Sequence, residues 1–398
     1  MKKPELLAPA GNLKCLIAAI KAKADAVYLG LKQFNMRETG QNFSFKDLEK
    51  AKKICEENKV KLYLTLNTII YDNEIKKIED IIKKIKKQKL ADAIICWDLS
   101  IIQLCKKYKI PFHISTQASI SNSESARFYK KLGAKRAILA RELNIKQIKE
   151  ISKILPVETF IHGAMCVSIS GRCFTSQFLH NRSANRGNCQ HPCRKSYKVE
   201  DDEGNKLRVK NNKIFSAKDL CTLPFIEKLK KANITSFKIE GRNREPEYVY
   251  TVTKVYRQAI DKKLTKKEIK ELIKELKNVY NRQFSSGFYI KSPTSDDFAK
   301  VEHSASRKKK MFIGKITHYW KDIKVAALKL NSGKIRIGNE IIVTGRKTFF
   351  KEKVEDMEIN HKKIKEAKKG QEVGIKLPFS RKGDEVYLVI NNKRNKLL

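Results

Sequence analysis

No stretch of this chain reaches the roughly 18 consecutive apolar residues of a membrane-spanning helix. The opening Met1-Lys2-Lys3 runs into Pro4 and Glu5 instead of an apolar segment, so a secretory signal is not expected. The expectation is a soluble, cytoplasmic protein with no membrane partner. Histidine is scarce, at seven residues, and the HExxH, GxSxG and caspase-type signatures are missing. A Ser–His pair drawn from Ser168, Ser170 and His162 stays open, though no motif marks one. Acidic residues are the other shortage: 43 Asp and Glu stand against 86 Lys and Arg, a net charge of +43 over 398 residues. Lysine dominates arginine and isoleucine is abundant, which AT-rich coding also produces. Coding bias alone does not demand so large an excess of cations. Dense Lys and Arg gain from polyanions through counterion release, so a nucleic-acid partner is expected.

Among what is present, the nine cysteines divide into two groups. Cys15, Cys55, Cys96 and Cys105 fall in apolar-periodic segments, where a free cysteine packs as a small hydrophobe. Cys166, Cys173, Cys189 and Cys193 lie in ETFIHGAMCVSISGRCFTSQFLHNRSANRGNCQHPCR, and Cys221 follows in KDLCTL, giving the spacing C-x6-C-x15-C-x3-C-x27-C. A loop rich in Gly, Ser, Asn and Arg cannot hide thiols as packing, and in a reducing compartment disulfides are rare. Three readings stay open. Structural zinc finds knuckle spacing only at Cys189-x3-Cys193. An iron–sulfur cluster needs four thiolates and tolerates irregular spacing. A nucleophilic or redox cysteine would take His162, His180 or His191 as its base, yet needs no such crowd of thiols.

The first 240 residues alternate short β-rich runs with amphipathic, Lys-rich helical patterns. Strands are expected at 5–10, 26–31, 61–67, 93–98, 111–116, 136–141, 157–162 and 236–241. Strands alternating with helices imply parallel pairing. Eight regularly spaced units point to a (β/α)8-type barrel, with an open doubly wound sheet as the alternative. Asn12, Gly30, Asn67, Asp98, Gln117, Arg141, His162, Glu240 and Arg242 follow the apolar runs directly. In a barrel such positions converge on the C-terminal rim, where active sites are built. After the seventh strand a long loop replaces a short βα connection, and long loops are usually functional. Within it EDDEGNK reads as a hairpin turn between SYKVE and KLRVK. DLCTLPFIEKLKKAN reads as a helix with Cys221 near its N-terminus, where the dipole favours a thiolate. All five clustered cysteines are then expected above the rim. The expected organisation is a barrel domain over 1–294 with its insertion at about 164–225, a linker over 295–310, and a small β-barrel domain over 311–398.

Over Glu158–Ser176 the pattern ExFxxGAMCxSxSGRCFTS resembles the signature of the collagenase-like peptidase family U32. The resemblance extends through ELLAPAGN, DAVYLG, NRSANRGNCQHPCR, SAKDLC, FKIEGR and NRQFSSGFY, across most of residues 4–294. Thr175 departs from it, at a position where an aliphatic residue is more usual. The C-terminal domain also resembles the accessory domain of longer members. What the resemblance implies differs from the family's name, because several bacterial members resemble RNA hydroxylation proteins. One branch is required for 5-hydroxyuridine in transfer RNA, another for hydroxycytidine in ribosomal RNA, and a third for oxygen-independent ubiquinone hydroxylation. Four cysteines hold a 4Fe–4S cluster in those members. Carried over, Cys166 and Cys173 are two metal ligands, Cys193 the third and Cys221 the fourth, with Cys189 able to replace Cys193. The transfer-RNA branch matches best in length and C-terminal domain, and there prephenate is a metabolic requirement. The expectation is an iron–sulfur-dependent hydroxylation protein forming 5-hydroxyuridine in transfer RNA, served by an electron donor. Peptidase activity and ribosomal-RNA cytidine hydroxylation are the alternatives. Glu240, Arg242 and His162 are the expected catalytic residues around a splayed-out base. Arg172 and Arg186 are expected to bind a cofactor, joined by Arg182 and Arg194 in meeting phosphates or a small acid.

Overall fold

Short runs rich in Val, Ile, Leu and Tyr, each bounded by polar residues, become the strands of a closed ring. The computed structural model describes residues 3–207, 215–301 and 303–392. The ring strands are β1 (Glu5–Pro9), β2 (Ala26–Gly30), β3 (Lys61–Thr65), β4 (Ala93–Cys96), β5 (Phe112–Ile114), β6 (Arg136–Ile138), β7 (Val157–Gly163) and β8 (Ser236–Ile239). Each is parallel to the next, and β8 closes the barrel by pairing with both β7 and β1. The open doubly wound sheet is therefore excluded.

Helices α1 (Leu13–Lys21), α2 (Phe45–Glu57), α3 (Ile75–Lys87), α4 (Leu99–Lys107), α5 (Ser123–Lys131) and α6 (Ile145–Ser152) follow the first six strands. Their starts are written in the sequence. Asn12, Ser44, Asp98, Asn122 and Asn144 each accept a backbone N–H of the first turn, satisfying a donor the helix cannot pair internally. Two of the polar rim residues, Asn12 and Asp98, are thus helix caps. In α3, Ile78, Ile82 and Ile85 face inward while lysines take the solvent side. The short α7 (Thr175–His180) lies in the insertion, α8 (Ile226–Lys230) precedes β8, and α9 (Pro246–Asp261) and α10 (Lys266–Leu276) follow it.

The barrel interior is charged near the strand starts. Buried Glu158 accepts from Lys238 at 2.9 Å and Arg136 at 3.0 Å, and Arg136 also reaches Glu5 at 2.7 Å. His113 packs edge-on against Tyr63, whose hydroxyl donates to Glu5.

The insertion leaves after Gly163 and returns as a short strand, Asp219–Cys221, antiparallel to the end of β7. The register places Leu220 opposite Gly163 and Cys221 opposite His162. This corrects the helix expected from residue 219. Pro224 can open a helical turn but cannot sit inside one, so helical structure begins only with the turn Leu223–Phe225. Cys221 is a strand residue, and no helix dipole acts on it. The expected hairpin forms between Val199–Glu200 and Lys206–Leu207; the remainder of KLRVK, residues 208–210, lies outside the described residues. Residues 295–301 and 303–305 do not form a free linker. Ala217 bridges Phe298, Lys218 and Asp297 are hydrogen-bonded, and Ala305 donates to Asn281.

The chain divides into two units, Met1–Ala305 and Ser306–Leu398. The second is an antiparallel sheet of eight strands, with Lys308–Trp320 and Glu385–Asn391 at its centre, and a separate two-stranded ladder. Its apolar core includes Ile313, Leu328, Ile341, Val373 and Ile375, and Thr344, Thr348, Ser380 and Asp384 are buried in the same unit. Among the described residues no helix is long and apolar enough to cross a membrane.

Candidate active site

At the C-terminal mouth of the barrel, the insertion and the strand-end loops enclose a cavity of about 780 Å³. Four thiols line it: Cys166, Cys173, Cys189 and Cys193. Gly163 makes the exit from β7 possible. Its φ is +110°, and a Cβ there would strike the Glu240 carbonyl and the Tyr248 hydroxyl. Cys173 is held by its backbone N–H, which donates to Asn185 Oδ1 at 2.9 Å. The next turn is anchored by Gln190 N–H donating to Ser176 Oγ, and Cys193 follows in the turn Pro192–Arg194. Gly187, with φ +89°, lies against the backbone of Asn35, where any side chain would collide, so the insertion packs directly on the β2–α2 loop.

The thiols differ electrically. Burial alone would raise Cys173, yet hydrogen bonds with Ser168 and Thr175 bring it below the ordinary thiol value. Burial pushes Cys189 and Cys193 up, and the neighbouring thiols add to the effect. Among the described residues, no three Cys, His, Asp or Glu side chains converge as the ligands of one ion would. The four thiols share the cavity wall.

Cys221 is not on that wall. It is buried below it, with Sγ 3.7 Å from the Tyr256 hydroxyl, and burial pushes its thiol up to about 11. Cys189, expected as a substitute for Cys193, lines the cavity together with it. His162 is also displaced. Between Lys238 and Ile239 the β7–β8 register slips, so that Ile239 pairs with His162. Such an irregularity re-aims a side chain. His162 packs among Tyr248, Tyr256 and Phe284, with Nδ1 3.3 Å from the Tyr256 hydroxyl, and burial lowers its pKa to about 3. It is a core histidine and lines no part of the cavity.

Glu240 does reach the cavity, but its partner is Arg37 at 3.3 Å and not Arg242. Burial opposes the charge on Glu240, yet Arg37, Arg244 and Arg141 hold the carboxyl below its usual range. Arg242 lies deeper, beside a second cavity of about 70 Å³, bonded to Asn35 and Thr65. Gly30 leaves the room it needs, since a Cβ there would sit 2.8 Å from Arg242 Nη1. Of the remaining rim residues, Gln117 and Arg141 line the main cavity and Asn67 the deeper one.

The expected cofactor arginines are committed elsewhere. Arg172 donates to Ser119 at 3.2 Å and lies over Trp97. Arg186 is doubly paired with Glu74 and stacks on Tyr71. Neither lines the cavity, and neither does the exposed Arg182; Arg194 does. The sequence reading missed Arg37, Arg244, Tyr280 and Arg282, which complete the wall. For Arg244 a signal existed, since it follows the β8 strand end in GRNRE. Arg282 comes from a loop beyond α10 that no periodicity connects to the mouth.

The sequence model of peptidase family U32 matches residues 11–298. The chain is 42% identical over 402 residues to an uncharacterized protease of Methanocaldococcus jannaschii, covering 97% of this chain and 98% of the relative. It is 38% identical over 404 residues to a collagenase of Porphyromonas gingivalis, covering 96% and 97%. It is 33% identical over 341 residues to the tRNA hydroxylation protein P1 of Bacillus subtilis, covering 82% and 80%.

Proposed function

This chain belongs to peptidase family U32, and from that premise we propose that it is an iron–sulfur-dependent RNA hydroxylation protein forming 5-hydroxyuridine in transfer RNA. The observation that carries the reading is the wall of four thiols in one large, cationic cavity at the barrel mouth. A zinc ion would need every sulfur about 2.3 Å from one point. A 4Fe–4S cluster takes each thiolate on a separate iron, so its four sulfurs need not meet at one point. Cys166, Cys173 and Cys193 would hold it, with Cys189 as the fourth ligand in preference to the buried Cys221. When bound, a 4Fe–4S cluster supplies one-electron redox chemistry.

The chain's own residues have separable roles in this reading. Arg37 and Arg194 lie close enough to the thiols to offset thiolate charge. Glu240, kept ionised by its arginines, is an acceptor for an N–H of the bound base. The cavity has the volume for one splayed-out nucleotide, as chemistry on a base requires. The cationic surface attracts the strand that presents it. The reading includes an electron donor, and a small acid such as prephenate as a requirement. The relative named as a tRNA hydroxylation protein supports transfer RNA as the substrate.

A peptidase is the second reading, favoured by the relatives named protease and collagenase. Acyl transfer by a side-chain nucleophile calls for a nucleophile and base in hydrogen-bond reach. Among the described residues, no serine or cysteine of the cavity is hydrogen-bonded to a histidine side chain; the histidine bond present is His162 to Tyr256.

Anaerobic purification with iron and sulfide analysis tests the proposal. About four irons and four sulfides per chain are expected, with broad visible absorbance, and 5-hydroxyuridine should disappear from transfer RNA in a deletion strain. Zinc, or no metal, would sink the redox reading. Cys166→Ala and Cys173→Ala should lose the iron. Cys189→Ala should lose it too, and Cys221→Ala should keep it. Gelatin cleavage that survives Cys166→Ala would establish the peptidase instead.

A further inference from the structure

Most arginines around the barrel mouth are already engaged. Arg37 is paired with Glu240 and bonded to the Met36 carbonyl. Arg141 donates to the Ala164 carbonyl and lies over Phe160. Arg194 spends its donors on Ser216, Ala217 and Met165. Arg244 is an exception, and beside it sits Arg282, whose one ion pair is a 3.7 Å contact with buried Asp219.

Arg244 lies 3.5 Å from the centroid of the Tyr280 ring, a stacking contact that fixes the plane of its guanidinium. Among the described residues that guanidinium makes no hydrogen bond and no ion pair. Arg282 lies 5.5 Å from the same ring, with Nε donating to the Tyr280 hydroxyl at 3.1 Å. Arg282 is 6% exposed, and its buried Nη1 has no hydrogen-bond partner. The nearest acid is Asp219, at 3.7 Å from Nη1, beyond hydrogen-bond distance, and burial raises its carboxyl pKa. All three residues, Arg244, Tyr280 and Arg282, line the cavity.

A buried guanidinium with unfilled donors is costly, and it is retained where something else supplies the counter-charge. Among the described residues, no cysteine is hydrogen-bonded to either guanidinium. We propose that Arg244 and Arg282, set around Tyr280, form an oxyanion subsite that takes a carboxylate or phosphate group of the ligand bound in the cavity. A planar guanidinium presents paired donors matching either group. Only the cavity's identity as the substrate site is borrowed from the proposed function. The anion is either a backbone phosphate of the bound strand or the acid group of a free small molecule.

The test uses the full chain as purified, its iron content recorded, titrated with inorganic phosphate, with malonate, and with a transfer-RNA anticodon hairpin over a salt series. Arg244→Gln is the main variant because Arg244 is in no ion pair and Glu240 keeps Arg37 as its partner. Arg244→Lys keeps the charge without the plane. If the free-molecule source is right, phosphate or malonate binds the wild type, Arg244→Gln weakens it about tenfold or more, and Arg244→Lys recovers part of the loss. If the strand source is right, the free anions do not bind, and Arg244→Gln lowers the slope of log affinity against log salt by about one. Equal behaviour of wild type and Arg244→Gln toward all three probes overturns the subsite. A wild type without iron would count against the proposed function yet leave these titrations readable, so the two failures are distinguishable.

Discussion

In the barrel unit Glu158, Lys238, Arg136 and His113 are all buried, and the ion pairs among them fill one end of the interior. The C-terminal unit, by contrast, packs around a cluster of Ile, Val, Leu, Ala and Met; among the described residues Asp384 is the one charged side chain it buries, and its histidines, His318 and His361, are exposed. The ring strands of the barrel are buried on both faces, whereas strands of the C-terminal unit such as Glu372–Lys376 alternate buried residues with exposed or half-buried ones. The two units also differ in where each keeps its charge. An apolar core is stabilised by area removed from water and is indifferent to pH. An interior of paired charges holds only while each keeps its partner and its protonation state. The barrel carries a costlier interior in the same unit that holds the thiol-lined cavity.

The comparison can be broken most directly by removing one partner. Lys238→Met leaves Glu158 buried with a single cation, and should destabilise the barrel unit by about 3–5 kcal/mol in urea unfolding. A loss under about 1 kcal/mol would mean the network is solvated and the contrast between the units is false. Acidification probes the same interior more gently. Burial lowers both His113 and His162 to about 3, against about 6.5 in the unfolded chain. Between those values the unfolded chain binds more protons. Barrel stability is therefore fully present above pH 6.5 and falls toward pH 3, by about 1.4 kcal/mol per pH unit for each histidine. Glu158, held at about 2 against the cost of its burial by Lys238 and Arg136, adds a further loss below about pH 4.5. Unfolding of the C-terminal unit, followed by the exposed Trp320, should not track that titration. The smallest effect is expected from Ile341→Val in the apolar core, about 0.5–1.5 kcal/mol, with the same value at pH 5 and pH 7.5. A pH-dependent cost there would show that the second unit also relies on buried charge.

These contrasts follow how much the sequence disclosed. The eight ring strands were legible because each is a short apolar run, and five of them lead into a helix with its own cap residue. The thiol wall was legible because loop composition rules out packing as the role of Cys166, Cys173, Cys189 and Cys193. What stayed hidden depended on a partner distant in sequence. His162 stands at a strand end like its neighbours, and only the slip opposite Ile239 turns it into the core. Cys221 reads as a helix start until its pairing with β7 is known. Arg186 and Arg172 look free in a Gly- and Ser-rich loop, whereas Glu74 and Trp97, far earlier in the chain, claim them. Arg282 could be assigned to the mouth only once the fold had brought it there.

The antiparallel seam at Gly163 and Leu220 has a consequence for how such a protein can change. The insertion departs and returns at hydrogen-bonded neighbours, so the ring of strands meets the same two-residue doorway whatever lies between. Closing a longer loop costs only a logarithmic increment. Residues can accordingly be gained, lost or exchanged within 164–218 without shifting a ring strand. The thiols are thus furnished by a detachable cassette, while Arg37, Arg141 and Glu240 belong to the frame. A lineage can rewrite the reactive half of this cavity and inherit the other half intact.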